Sequence, residues 1–167
     1  RRPPRSTQSR SSAASDVYKR QPNGMLTGEE VFGGKKVLVF SLPGAFTPTC
    51  STQQLPKYDE MYHQFKDKGI DEVYCVSVND GFVMKSWFEK LDIKNVKYLS
   101  DGNGEFTAWM GMLVSKSNLG FGQRSWRYAA LIEDGIVREK FAEEGQTDNN
   151  LTDPYDISTP ENVLANC

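Results

Sequence analysis

The stretch Pro43-Gly44-Ala45-Phe46-Thr47-Pro48-Thr49-Cys50 decides how this 167-residue chain is read. The apolar run Val37-Leu38-Val39-Phe40 leads into it and a helical pattern leads out of it. Thr47 is a good N-cap, and Pro48 then falls at the first helical position, where its missing N–H costs nothing. Cys50 becomes the third helical residue. Its sulfur would sit among unpaired backbone N–H groups at the positive end of the helix dipole, a placement that favours the nucleophilic thiolate. A cysteine at a helix start is equally explained as a small buried hydrophobe. Placement alone leaves both open.

Outward from this stretch the pattern is α/β. Thr27-Gly28-Glu29-Glu30 caps a short helix running to Phe32, and Lys36 to Leu42 reads as a buried strand. The helix from Pro48 carries Leu55, Tyr58, Met61, Tyr62 and Phe65 on one face, is kinked by Pro56 and ends at Gly69. The continuous run Val73 to Val78 reads as a central parallel strand, which makes Cys75 a core residue rather than a resolving thiol. Phe82 to Leu91 is a helix, Val96 to Leu99 a strand, Asp101 to Gly104 a turn, and Glu105 to Met110 a short helix whose aromatics fit either core packing or a dimer face. Met112 to Gly122 reads as a loop, and Arg124 to Glu133 pairs with Ile136 to Ala142 across Asp134-Gly135. Residues 143–159 form a loop, and Thr159-Pro160 starts a last helix. Strand, helix, strand, helix, strand, hairpin, helix is a thioredoxin-like layout with a central mixed sheet flanked by helices.

Composition narrows the function classes. Six Lys/Arg against one Asp give residues 1–21 a charge of +5, so the remainder carries −7 of the net −2. An acidic globular part speaks against a nucleic-acid partner. No apolar run approaches the roughly 18 residues that span a membrane. Three cysteines without C-x-x-C spacing, and a single histidine, argue against a disulfide framework, a metal site or a His-based triad. No cofactor is expected, and the cysteine usage suits a reducing, cytoplasmic compartment. His63 lies thirteen residues past Cys50, about 20 Å along a helix axis, and is read as a surface or partly buried helix residue, not a base.

Residues 1–21 are rich in Arg, Ser and Pro and read as disordered. Asp16-Val17-Tyr18-Lys19-Arg20-Gln21 matches a translated transposase mosaic end, so residues 1–21 are expected to be an assembly scar, with a transit peptide as the rival, and one domain spans residues 22–167.

The residues also carry a resemblance. Pro43, Thr47 and Cys50 form the Pro-x-x-x-Thr-x-x-Cys motif of the peroxiredoxins, and the string Ser41 to Ser51 is similar to the peroxiredoxin 5 subfamily. The likeness continues through Val76-Ser77-Val78-Asn79-Asp80, Asp101 to Phe106 and Arg124-Ser125-Trp126-Arg127-Tyr128. It implies a thiol peroxidase acting on hydrogen peroxide and small alkyl hydroperoxides, with Cys50 oxidised to a sulfenic acid. Thr47 would hydrogen-bond the sulfur or a peroxide oxygen, the Gly44 N–H would donate to substrate, and Pro43 would wall the pocket. By resemblance the activating arginine is Arg127, with Arg124 as runner-up. Strand alternation puts 125 and 127 on one face and 124 on the other.

The resemblance further implies a homodimer and an N-terminal β-hairpin, which would be missing if sequence before Pro22 is a scar. The loop 143–159 holds no resolving cysteine, and Cys167 is the one peripheral candidate. That departure favours a one-Cys cycle recycled by glutathione with glutaredoxin, or by thioredoxin. A redox sensor or holdase without turnover is the alternative, and it needs fewer of the residues Pro43, Thr47, Cys50 and Arg127. A thiol–disulfide oxidoreductase would need a cysteine where Gln53 stands.

Overall fold

The structure is a computed structural model and describes residues 19–21 and 24–167. A five-stranded mixed sheet forms its centre: β3 (Lys36–Ser41), β4 (Glu72–Ser77), β5 (Lys97–Ser100), β8 (Tyr128–Glu133) and β9 (Ile136–Ala142), in the spatial order β5-β4-β3-β8-β9. β3 runs parallel to β4, with Phe40 opposite Cys75, and antiparallel to β8, with Phe40 opposite Ala129. β4 and β5 are parallel, as expected for strands joined by a helical crossover.

Alternation along the three inner strands sorts side chains onto two buried faces. Leu38, Phe40, Val73, Cys75, Ala129 and Leu131 face one core, and Val37, Val39, Tyr74, Val76, Ala130 and Ile132 face the other. The first core is covered by α2 (Leu55–Glu60), α3 (Tyr62–Asp67), α4 (Gly81–Lys90) and α6 (Pro160–Asn166), which contribute Tyr58, Phe65, Trp87 and Val163. Phe40 stacks on Tyr58 with centroids 3.9 Å apart. The second core is closed by α1 (Gly28–Phe32), α5 (Glu105–Trp109) and Trp126. Thr27 and Glu30 form the capping box expected at the start of α1. Phe106 and Met110 are buried in this core, so packing accounts for them.

Two short strands, β1 (Lys19–Gln21) and β2 (Gly24–Leu26), pair antiparallel ahead of the sheet. The hairpin expected to be missing concerns the chain before residue 22, most of which lies outside the described residues.

Three expectations need correction. The segment 112–122 is not a plain loop: β6 (Leu113–Ser115) pairs antiparallel with β7 (Gln123–Ser125) in a separate ribbon, joined by a 3-10 turn at Ser117–Leu119. Consequently 124–133 is not one strand. The chain leaves the ribbon after Ser125, bends at Trp126-Arg127 and enters the main sheet at Tyr128. Gly120 and Gly122, both at positive φ, supply the reversal that alternation could not reveal. The third correction is the helix after Cys50, which opens as a π turn at Cys50–Gln54, with Leu55 N–H bonded to the Cys50 carbonyl, before becoming α-helical at Leu55. Pro56 has no N–H for the Thr52 carbonyl and its ring crowds that group, so the distortion precedes the proline instead of lying at it. A further break at Met61 separates α2 from α3.

The remaining elements match their expected places. Asp134 and Gly135 both take positive φ in the turn between β8 and β9, as a two-residue hairpin requires. Asp80 caps α4 and Thr159 caps α6. His63 is exposed on α3.

Candidate active site

The segment between β3 and the π turn is held from several sides. The Ala45 N–H donates to Asn79 Oδ1 at 3.0 Å, which also accepts from Ser77 Oγ at 2.6 Å. Phe46 turns the chain at φ 63°, a left-handed conformation that costs a non-glycine residue about 1–2 kcal/mol. The Thr47 hydroxyl donates to the Gly44 carbonyl at 2.7 Å, so it does not act as the expected N-cap. Its hydrogen is spent there, and its lone pairs are left to accept from a substrate O–H. Among the described residues the Gly44 N–H has no hydrogen-bond partner.

Cys50 is 1% exposed and lies in the first core with Phe40, Leu42, Ala45 and Cys75. Ser51, next to it, accepts from Trp87 Nε1 at 2.9 Å, which fixes the π turn against α4. Cys75 is fully buried, and burial, aided by the neighbouring Cys50, pushes its thiol well above the ordinary range, so it is held neutral. Cys167 is half-buried at the end of α6, its Sγ 3.7 Å from the Leu164 carbonyl.

Both arginines converge on the site, because the bend at 126–127 breaks the alternation that would have separated them. Arg124 donates to the Pro43 carbonyl at 3.2 Å and to the Phe121 carbonyl at 3.1 Å. A Cβ on Gly44 would lie 2.4 Å from its Nη1, so the guanidinium would have to shift from its present place to admit one. Burial lowers the Arg124 guanidinium, and the nearby Cys50 opposes that shift. Arg127 is 1% exposed and donates to Gln54 Oε1 at 2.5 Å and Asp153 Oδ1 at 2.6 Å, with its guanidinium over the Tyr155 ring. Its Nε has no partner among the described residues.

Sequence reasoning missed Gln54, Asn79, Asp153 and Tyr155. Gln54 Nε2 donates to the Ser41 carbonyl at 3.2 Å, so this buried amide links the end of β3 to Arg127. A polar residue on the apolar side of the helix, four after Cys50, was the available signal. Asp153 and Tyr155 arrive from a long loop with no periodicity to place them. Glu143 anchors that loop, accepting from Asp156 N, Ser158 N and Ser158 Oγ at 2.8 Å each.

A pocket of about 440 Å³ opens beside the helix start, between Pro43 and Thr47, the 116–121 turn and residues 150–153. Among the described residues no group of three or more His, Cys, Asp or Glu could hold a metal ion. No helix of the described residues is long and apolar enough to cross a membrane.

A buried thiol at a helix start next to a pocket lined by Pro43 and Thr47, with Arg124 held on the Pro43 carbonyl and Arg127 on Gln54, on a thioredoxin-like sheet, fits a class of thiol redox proteins. The Redoxin family model matches residues 12–156. A peroxiredoxin of Rhizobium etli is 59% identical over 138 residues, which cover 83% of this chain and 77% of that protein. The crystal structure of the Plasmodium falciparum antioxidant protein, a 1-Cys peroxiredoxin, superposes with a TM-score of 0.82 at 48% identity, covering 84% of this chain and 80% of that one. Reduced Prx3 of Vibrio vulnificus in complex with hydrogen peroxide gives 0.81 at 37% identity, covering 90% and 93%. The chain belongs to the Redoxin family and, within it, to the peroxiredoxins.

Proposed function

We propose that Cys50 is the peroxidatic residue of a thiol peroxidase that reduces hydrogen peroxide and small alkyl hydroperoxides. The observation that carries this reading is a buried thiol three residues past Thr47, with Arg124 on the Pro43 carbonyl and Arg127 on Gln54 at the far end of the same π turn. The Cys50 thiolate attacks the terminal peroxide oxygen, an S–O bond forms as the O–O bond breaks, and the departing alkoxide or hydroxide takes a proton. The products are Cys50 sulfenic acid and an alcohol or water. Thr47 accepts from the peroxide O–H, the Gly44 N–H and the free Nε–H of Arg127 supply donors, and Pro43 limits water at the sulfur.

The described thiols favour a one-Cys cycle. Cys75 is sealed in the core, and the loop over the site presents Asp153 in place of a thiol. A relative of the same fold is named a 1-Cys peroxiredoxin. The reductant in this reading is glutathione with glutaredoxin, or thioredoxin, acting on a cytoplasmic homodimer. The domain is residues 22–167, with residues 1–21 an assembly scar; a continuous genomic reading frame upstream of Pro22 would refute that boundary. The function is tested by peroxide consumption with each reductant. A folded parent chain that consumes no peroxide with either one would overturn it and leave the sensor reading.

A further inference from the structure

The pocket beside Pro43 and Thr47 contains a charge that the reaction above does not use. Lys116 lines this pocket yet is only 4% exposed. Its backbone is committed to the turn: the N–H donates to the Gly122 carbonyl, and its own carbonyl accepts from Leu119 and Phe121. Its ammonium sits 5.5 Å from the centroid of the Trp126 ring. Among the described residues no carboxylate lies within ion-pairing distance of it. Asp153, the acid in the same pocket, is paired with Arg127. The walls near it are Leu119, Phe121 and Leu151, and Leu151 is 95% exposed with nothing covering it. An ammonium without a counter-ion, on a side chain that lines a pocket with apolar walls next to the Pro43–Thr47 segment, matches an amphipathic anion better than a neutral or wholly polar ligand.

We infer that the pocket receives organic hydroperoxides that carry a carboxylate. The carboxylate meets the Lys116 ammonium, Leu119, Phe121 and Leu151 cover the hydrocarbon, and the hydroperoxide reaches Cys50 past Pro43 and Thr47. This rests on the peroxidase reading of Cys50 and names its substrate class. The thiolate takes the terminal oxygen, the O–O bond breaks, and the alkoxide is protonated, so the substrate leaves as the corresponding hydroxy acid.

The test is single-turnover oxidation of Cys50, followed by trapping the sulfenic acid, with three oxidants: a medium-chain fatty-acid hydroperoxide, its methyl ester and hydrogen peroxide. In the parent chain the acid should react about tenfold faster than the ester, a difference of about 1.4 kcal/mol in barrier. Lys116→Met should bring the acid-to-ester ratio to about one, and Lys116→Arg should keep it above one, since either cation pairs with a carboxylate. The ratio is taken within each variant, so partial loss of folded protein does not change it. Equal rates for acid and ester in a parent chain that hydrogen peroxide oxidises would overturn this inference alone. A ratio that survives Lys116→Met would also overturn it. So would a Lys116→Met defect confined to the later thiol step, which would assign the ammonium to a carboxylate of the reductant. Failure of all three oxidants would remove the peroxidase reading itself and this inference with it.

Discussion

Arg127 and Asp153 meet at 2.6 Å, an ion pair in which the arginine is 1% exposed and the aspartate, which lines the pocket, 47%. The pair joins the entrance of β8 to the loop 143–159, which Glu143, Asp148 and Asn149 also tie down. With Gln54 on its other amino group, the guanidinium is fixed before any substrate arrives.

Arg127→Met should therefore lower the rate of Cys50 oxidation by about 10²–10³, the usual effect of removing one preorganised donor. It also strands the buried Gln54 carbonyl oxygen, at about 1–3 kcal/mol of stability. Stopped-flow oxidation and urea unfolding separate the two effects. An unchanged oxidation rate in the folded variant would shift the role to Arg124.

Gly44 and Arg124 should behave as one unit. Adding a methyl group at Gly44 forces Nη1 of Arg124 off the Pro43 carbonyl. Gly44→Ala and Arg124→Met should each slow peroxide reduction about tenfold, and together no more than either alone, since residues in contact are not additive. A double variant that loses the product of the two factors would show that the contact does not matter.

Cys50→Ser should reduce peroxide consumption to the uncatalysed background, and Cys167→Ser should retain it. A loss in Cys167→Ser that appears with thioredoxin would make Cys167 a resolving thiol and end the one-Cys reading.

Glu143 gives the loop an acid-sensitive anchor. Burial raises its carboxyl, but hydrogen bonds from Ser158, Asp156 and Ile157 more than offset this and leave it lowered. A lowered carboxyl contributes stability that is complete above its unfolded-chain value and is lost as pH falls through the folded one. Amide exchange at 156–158 should accelerate below the ordinary carboxylate range in the parent chain. Glu143→Gln should weaken the fold at neutral pH by about 1.5–3 kcal/mol and flatten that acid-side loss. Equal acid sensitivity in both would place the anchor elsewhere.

The sheet, its crossover helices and the position of Cys50 were legible because each rests on local signals: continuous apolar strands, Asp80 and Thr159 as caps, and Asp134-Gly135 as a turn. What stayed hidden depended on contacts distant in sequence. The β6–β7 ribbon is three residues a side, too short for alternation to register. The bend at Trp126-Arg127 places both arginines at the site, which a single strand could not do. Gln54 and Asp153 acquire meaning only through the guanidinium they share. Lys116 sits in a turn that carries no periodicity to mark it.

The π turn at Cys50–Gln54 has a consequence for how the nucleophile is aimed. Such a turn holds one residue more than the α turn it replaces. It therefore takes up one residue of slack between Cys50 and a helix that keeps Leu55, Tyr58 and Phe65 against the sheet. Deleting one residue between 51 and 54 would close it as an α turn and leave both flanks facing nearly as they do now. A change of length at this point can thus be absorbed without turning either the cysteine or the helix face.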